Sequence, residues 1–273
     1  MSMKAINTYL LSSLVITVLS ITSISAQSTD LGPMVTDRPD ATESPILVDK
    51  GYIQVETGAF FETFEDQGIT QDNYTFNTTL IRIGLLDNLE LRLGADFVEG
   101  KTKINGVKQD DVSSGFSPLL FGAKVGIAKE KGWAPEIALM GHVYLPFTAG
   151  TDYKPQTTGV DFRFSLGHTL SERSVIGYNL GAAWGDDSSE AAFVYTLVYG
   201  YALTKDFGLY AELYGDAPEN SKANHFWDAG MVYVVSNNFQ LDATVGTSIT
   251  KGQDLLLSFG FSFRLPTSSK QNI

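Results

Sequence analysis

The sequence predicts an all-β protein, a transmembrane antiparallel up-and-down β-barrel of about twelve strands. Three observations predict it: apolar and polar residues alternate along most of the chain, tight turns alternate with longer polar loops, and the N-terminus has the composition of an export signal. The stretch from Gly51 to Phe64, GYIQVETGAFFETF, shows the alternation most plainly. Because successive side chains of a strand point to opposite faces, this pattern indicates a sheet with one apolar and one polar face.

Composition limits the classes of protein that the chain can belong to. The 273 residues, 43% hydrophobic and including 26 glycines, suffice for one large β domain. A net charge of -12 and a pI near 4.6 argue against nucleic acid as a partner, since phosphate binding needs a basic face. Cysteine is absent, which excludes disulfides and thiolate metal sites and fits an exported protein.

Residues 1–26 are typical of a secretory signal peptide. Lys4 precedes an apolar run from Tyr9 to Ile21, and small residues at Ser25 and Ala26 end the segment. A single transmembrane anchor is the alternative, but the run is short for a bilayer span and is diluted by serine and threonine. We therefore expect an exported chain that begins near Gln27.

Residues 27–50 form a lead-in that contains the motifs TDRPD, residues 36–40, and TESP, residues 42–45. Two prolines and the lack of alternation predict a loop that precedes the first strand. The charged residues of the motifs are expected to form a cluster that pins the lead-in onto the periplasmic rim of the barrel. A calcium loop and a solvated turn are the alternatives. The cluster comprises Asp37, Arg38, Asp40 and Glu43.

The barrel is predicted over residues 51–265, with residues 266–273 as a periplasmic tail. The predicted strands are Gly51 to Glu65, Asn73 to Leu86, Leu89 to Glu99, Leu119 to Lys129, Ala134 to Pro146, Thr158 to Leu170, Ser174 to Trp184, Glu190 to Leu203, Phe207 to Asp216, Asn224 to Ser236, Phe239 to Thr250 and Asp254 to Leu265.

Turns of two or three residues, such as Asp87-Asn88 and Asn237-Asn238, alternate with longer polar loops. The longer loops include Asp66 to Asp72, Gly100 to Ser114 and Phe147 to Thr157. An even number of strands with tight turns at one end is the layout of a bacterial outer-membrane barrel whose termini are periplasmic.

The two faces of the strands support the same location. In the last predicted strand Leu257 belongs to an apolar row and Ser258 to a polar one, and tilted segments of about ten residues match the apolar band that such barrels present to lipid. Trp133, Trp184 and Trp227 lie near strand ends, where bilayer interfaces favour aromatic rings. A water-soluble barrel with an apolar interior is the alternative, with the faces reversed.

If the polar row lines the lumen, its charges are the chemical content of the protein. They either pair between strands and stiffen the wall or line a selective, partly hydrated path. The lumen-facing candidates are Glu56, Glu62, Arg82, Glu90, Arg92, Asp96, Lys124, Glu136, His142, Asp161, Arg163, Glu212, Asp228, Asp242 and Arg264.

The chain contains several distinctive short motifs: TDRPD and TESP at residues 36–45, GYIQVETG at 51–58, NLELR at 88–92, GYNLG at 177–181, NFQLD at 238–242 and RLP at 264–266. These motifs resemble the phenol-degradation MetA-pathway family of outer-membrane transporters. The resemblance covers nearly all of the mature chain, and TDRPD…TESP is its most specific part. It implies a barrel that passes small molecules, aromatic or hydrophobic ones among them, and implies no catalytic residue and no cofactor. Outer-membrane lipid and a small solute are the expected partners.

Two other functions remain open at this stage. A lipid-hydrolysing barrel would need a nucleophile beside a base, and of the three histidines only His142 lies on the polar row. A structural or surface barrel without conductance would use the acidic loops.

Overall fold

The computed structural model describes residues 31–185, 189–250 and 252–267. The predicted signal peptide and nearly all of the C-terminal tail lie outside them. The strands are β1 (Tyr52–Asp66), β2 (Ile69–Leu86), β3 (Leu89–Ile104), β4 (Val107–Phe116), β5 (Leu119–Ala128), β6 (Glu136–Leu145), β7 (Gly159–Ser171), β8 (Ser174–Trp184), β9 (Ala191–Ala202), β10 (Phe207–Pro218), β11 (Asn224–Ser236), β12 (Phe239–Ser248) and β13 (Gln253–Pro266).

The sheet closes on itself. All strand pairs are antiparallel, and β1 pairs with β2 on one side and with β13 on the other. Closure satisfies the backbone hydrogen bonds of the first and last strands, which would otherwise be open edges within the membrane.

β4 and β5 together make one strand of the barrel. β3 pairs with β5 along Leu89–Gly94 and with β4 along Phe97–Ile104. The interruption between them contains Pro118, which has no backbone N–H to donate to a ladder. The barrel therefore has twelve strands, and the predicted fold class is confirmed.

Two predicted loops prove to be ordered hairpins. Gly100 to Ser114 was expected to be a loop, but β3 and β4 extend through it and meet at Asn105 and Gly106, whose φ angles are 49° and 79°. Positive φ at both central residues gives the turn that matches the twist of paired strands, and Asn-Gly favours it. Asp66 to Asp72 likewise reduces to a turn at Gln67 and Gly68. These hairpins extend the wall on the long-loop side.

The two faces divide as the alternation predicts. Leu257 is 43% exposed, whereas Ser258 beside it is 7% exposed. Most exposed large side chains are apolar and lie on the outward rows, and most buried ones are polar or charged. A water-soluble barrel would show the reverse, so the outward apolar face is the one that lipid covers.

The loop between β6 and β7 is the longest structured connection. It contains two 3₁₀ turns, Pro146–Thr148 and Thr151–Tyr153, and Asp152 accepts a hydrogen bond of 2.9 Å from the backbone N–H of Ser114. Over the ranges that the structure describes, no helix is long and apolar enough to cross a membrane.

Candidate functional site in the barrel interior

Residues 32–50, called here the N-terminal segment, lie inside the barrel. The backbone N–H groups of Asp37 and Arg38 donate to the carboxylate of Glu56 at 2.9 and 3.1 Å, and that of Val48 donates to Glu90 at 2.9 Å. Side chains of the wall thus satisfy backbone groups that a strand would pair in a ladder. The segment is docked by polar contacts with the inner face.

The segment was expected at the periplasmic rim, but the structure places it deeper. The hydroxyls of its Thr42 and of Thr196 form a hydrogen bond of 2.7 Å, and Thr196 lies in the middle of β9. The inward rows carry polar groups throughout their length, and burying them without partners is unfavourable. Inserting the segment supplies partners for many of these groups, such as Glu56, Glu90 and Glu212.

Asp37 is the centre of a buried charge cluster. Its carboxylate lies 2.7 Å from Arg92, 2.8 Å from Lys124 and 3.3 Å from Arg82. Burial alone would raise the pKa of Asp37, but the three cations outweigh burial and hold that pKa well below its usual range. Asp37 is therefore ionised when the segment is docked.

The wall side chains of this cluster also pair with one another. Arg82 lies 2.8 Å from both Glu56 and Glu90, and Arg92 contacts Glu43 of the segment. Removing one partner of a buried pair costs about 3–5 kcal/mol because it leaves an uncompensated charge. The expected pairing of acids and bases exists, but it runs between neighbouring strands and through the segment rather than directly across the lumen.

Arg38 occupies a slot at the seam where β1 meets β13. Gly58 and Gly260 are opposite one another in these strands, and a Cβ built on Gly58 would approach Arg38 Nη2 to 2.6 Å. Arg38 pairs with Asp242 at 2.9 Å and donates to Ser258 at 2.9 Å. Only glycine leaves room for the guanidinium at these two positions.

The middle of the segment, residues 41–43, is held by β8, β9 and β10. The backbone N–H of Ala41 donates to Glu212 at 2.7 Å, and the hydroxyl of Thr42 donates to the same carboxylate. The backbone N–H of Glu43 donates to the side-chain carbonyl of Asn179 at 2.7 Å. The segment thus crosses the lumen from the β1–β3 wall to the β8–β10 wall.

The other predicted lumen residues form smaller local groups. His142 lies 2.8 Å from Asp161, whose other oxygen accepts from the hydroxyl of Tyr144 at 2.7 Å. Arg163 donates to a backbone carbonyl of the segment at 3.4 Å. At the tight-turn end of the barrel, Glu136 pairs with Lys129 at 2.7 Å and Arg264 pairs with Asp49 at 3.1 Å. On the long-loop side, Glu62 accepts a hydrogen bond from Gln253 at 2.7 Å.

A cavity of about 460 Å³ lies between the segment and the wall on the long-loop side and is called here the chamber. The segment contributes Pro39, Asp40 and Ala41 to it, so the segment forms part of its boundary. The wall contributes Phe60, Glu62, Phe64, Thr75, Thr78, Asp96, Tyr214, Phe226, Asp228, Gln253 and Leu256.

The chamber is acidic. Asp40, Glu62, Asp96 and Asp228 line it, and none of the four has a basic partner within 4 Å among the residues described. Burial, and then the carboxylate of Glu212, raise the pKa of Asp40 well above its usual range. The acidic side chains of the charge cluster are thus compensated by basic partners, whereas the carboxylates of the chamber are not.

The charge-based predictions overlooked the neutral polar side chains that hold the segment. Asn179, Thr196, Ser165 and Gln54 are fully or almost fully buried. Gln54, for example, donates to the backbone carbonyl of Val35 at 2.8 Å. Their position on the inward rows was the available signal, because the same alternation that selected the charged residues applies to them.

A closed barrel with an apolar outer face and a polar, charged interior defines a class of protein, the outer-membrane β-barrels. The family model described as "Putative MetA-pathway of phenol degradation" matches residues 36–265, and the chain belongs to this family. The match begins in the N-terminal segment and ends in β13. A comparison with curated proteins gives no match.

Solved structures with the same fold are outer-membrane barrels. The COG4313 outer membrane channel from Pseudomonas putida F1 has a TM-score of 0.61 and 13% identity, with 85% of this chain and 100% of that chain covered. The translocator domain of the autotransporter NalP from Neisseria meningitidis has a TM-score of 0.52 and 11% identity, with 80% and 90% covered. The KdgM porin has a TM-score of 0.50 and 8% identity, with 77% and 98% covered. At these identities the similarity establishes the fold.

Proposed function

We propose that the protein is a passive outer-membrane channel for small molecules. The observation that carries the proposal is the chamber, a cavity of about 460 Å³ inside a closed barrel, bounded on one side by the N-terminal segment. Membership of the MetA-pathway family and the similarity to a COG4313 channel support it. By analogy with other outer-membrane barrels, the tight turns would face the periplasm and the long loops the exterior.

The proposal makes the N-terminal segment the gate. The segment crosses the lumen and is held mainly by side-chain contacts, together with backbone hydrogen bonds near its two ends, from Met34 to Asn237 at 2.9 Å and from Tyr52 to Asp49 at 3.0 Å. Such contacts can break without opening the strand ladder of the barrel. Passage of a solute would require the segment to shift away from at least one wall.

The aromatic lining of the chamber suits a small organic solute. Phe60, Phe64, Tyr214 and Phe226 supply ring faces, and Tyr214 stacks on Phe226 with centroids 5.2 Å apart. Ligand sites are typically cavities of about 300–1,000 Å³ that combine apolar and aromatic side chains with a few polar groups. Aromatic or hydrophobic molecules of modest size are therefore the proposed class of solute.

The proposal also includes export through the signal peptide at residues 1–26 and residence in the outer membrane of a Gram-negative cell. We propose no enzymatic activity. His142 is engaged by Asp161, and its hydrogen bonds among the residues described include none to a serine or threonine hydroxyl. A hydrolase of the serine type needs that contact.

Liposome swelling tests the function. Liposomes carrying the purified protein are compared with protein-free liposomes for uptake of phenol and benzyl alcohol, with planar-bilayer conductance as a second readout. We expect solute-dependent swelling above the protein-free rate. The absence of both swelling and conductance, also in a variant whose segment is released, would favour a structural barrel instead.

A further inference from the structure

The carboxylates of the chamber point to a chemical class of ligand. Glu212 and Asp228 are directly opposite one another on β10 and β11. Like charges at such a position repel, since opposite side chains lie about 5 Å apart at their Cβ atoms. Glu212 is stabilised by donors from Ala41 and Thr42 of the segment, whereas Asp228 receives no donor from the segment in the structure.

Asp228 has an unused acceptor aimed at the interior. The residue is 2% exposed, and its Oδ1 atom is buried without a hydrogen-bond partner among the residues described. A buried carboxylate oxygen without a donor is unfavourable, and a cation or N–H donor in the adjoining cavity would satisfy it. Gln253, which also lines the chamber, likewise has an unpartnered Oε1 atom.

The nearby cations of the protein are already engaged. Arg38 pairs with Asp242 at 2.9 Å and donates to Ser258 at 2.9 Å. Arg82, Arg92 and Lys124 belong to the charge cluster around Asp37. Arg163, the other cation near the chamber, donates to the carbonyl of Ala41 at 3.4 Å. No side chain among the residues described supplies a partner to Asp228 Oδ1, and a bound cation would do so.

The aromatic side chains favour an organic cation over a metal ion. Phe60 lines the chamber, and the guanidinium of Arg38 already lies over its ring at 5.1 Å from the centroid. Ring faces attract cations electrostatically, and the stacked pair of Tyr214 and Phe226 offers a second surface of this kind. Over the described ranges, no group of three or more histidine or acidic side chains is arranged to hold a metal ion.

We propose that the chamber binds a small organic ammonium ion, its nitrogen held by the Asp228 carboxylate and its apolar part by the aromatic wall. The binding site stands independently of transport, but the statement that such cations are the preferred solutes rests on the proposed channel function.

Titration calorimetry of the full chain in a non-ionic detergent tests the site. The probes are benzylammonium, benzyl alcohol as its neutral match and benzoate as its anionic match. We expect benzylammonium to bind best and Asp228→Asn to weaken it about tenfold, the loss expected for one partly buried charge contact. The control is Asp110→Asn, which removes the same charge from an exposed position outside the chamber.

Equal affinities for the three probes, or unchanged benzylammonium affinity in Asp228→Asn, would overturn the proposal. Glu62→Gln is a second variant in case Asp228→Asn does not assemble, and a smaller loss is expected there, because Glu62 lines the chamber but accepts a hydrogen bond from Gln253. Calcium chloride is titrated as well, and Asp228-dependent binding of calcium in preference to benzylammonium would also overturn it.

Swelling assays separate this inference from the channel function. Uptake of benzyl alcohol without any binding of benzylammonium would retain the channel and reject the cation site. Binding of benzylammonium without uptake of any probe would retain the site and reject the channel.

Discussion

Arg38 in the N-terminal segment lies 2.9 Å from Asp242 on β12, and this ion pair fixes the segment at the seam of the barrel. The pair is possible because Gly58 and Gly260 leave the space that the guanidinium fills. The contact joins the proposed gate to the point at which the sheet closes. It is therefore the contact whose loss should most directly change conductance.

Arg38→Ala should increase channel opening. The substitution leaves the Asp242 side chain, 0% exposed, without its cation and frees the space between the two glycines. We expect higher single-channel conductance or open probability in planar bilayers. Arg173→Ala is the matched control, because Arg173 is exposed in a tight turn and should leave conductance unchanged. Reduced or unaltered conductance in Arg38→Ala would contradict the gate.

Gly260→Ala should reproduce part of that effect without removing a charge. A Cβ at this position would approach Arg38 Nε to 2.6 Å, so the guanidinium must move. We expect a smaller rise in open probability than in Arg38→Ala. When both substitutions are combined, Gly260→Ala should add little to the effect of Arg38→Ala, since the two changes act on one contact. Fully additive effects would show that Gly260 matters for another reason.

Asp37→Asn should release the segment from the charge cluster. Three buried cations would lose their shared carboxylate, at an expected cost of about 3–5 kcal/mol in docking free energy. We expect faster thermolysin cleavage within residues 32–50, with a folded barrel retained on unheated gels. Asp110→Asn again serves as the control. A segment that stays equally protected would mean that hydrogen bonds alone suffice to hold it.

Docking of the segment should weaken as pH rises, because of Asp40. Its pKa is raised in the docked state by burial and by Glu212, Asp228 and Asp37, so the docked state binds more protons than the released one. Between the ordinary carboxyl pKa and this raised value, each increase in pH favours release. Asp40→Asn should flatten the pH dependence of protection from thermolysin over that window.

Asp37 affects the pH dependence of docking in the opposite direction and in a different pH range. Its pKa is lowered, so its stabilising contribution is lost only as pH falls below the ordinary carboxyl range. A pH dependence that survives Asp40→Asn unchanged in the neutral range would reject the role of Asp40.

Phe259→Arg should impair assembly. Phe259 is 63% exposed near the middle of β13, and a cation on the lipid face costs about 2–4 kcal/mol at the bilayer midplane. Thr75→Arg, which places the same side chain in the chamber, should impair assembly less. The measurement is the temperature at which the folded band disappears in gel-shift assays. Equal temperatures for the two variants would contradict the assignment of faces.

Strand alternation, turn chemistry and the apolar outer row are local properties, so the barrel can be predicted from the sequence. The sequence also identified the family and selected Asp37, Arg38 and the charged inward row as residues of interest. It missed the hairpin at Asn105 and Gly106 even though Asn-Gly was a signal for it.

The position of residues 32–50 is visible only in the folded barrel. The segment has no periodicity of its own, and its position depends on side chains from β1, β2, β3, β5, β8, β10 and β12 that are distant in the chain. The same holds for the difference between the compensated cluster around Asp37 and the uncompensated chamber around Asp228. Charge compensation depends on distances between atoms, and those distances exist only once the sheet has closed around the segment.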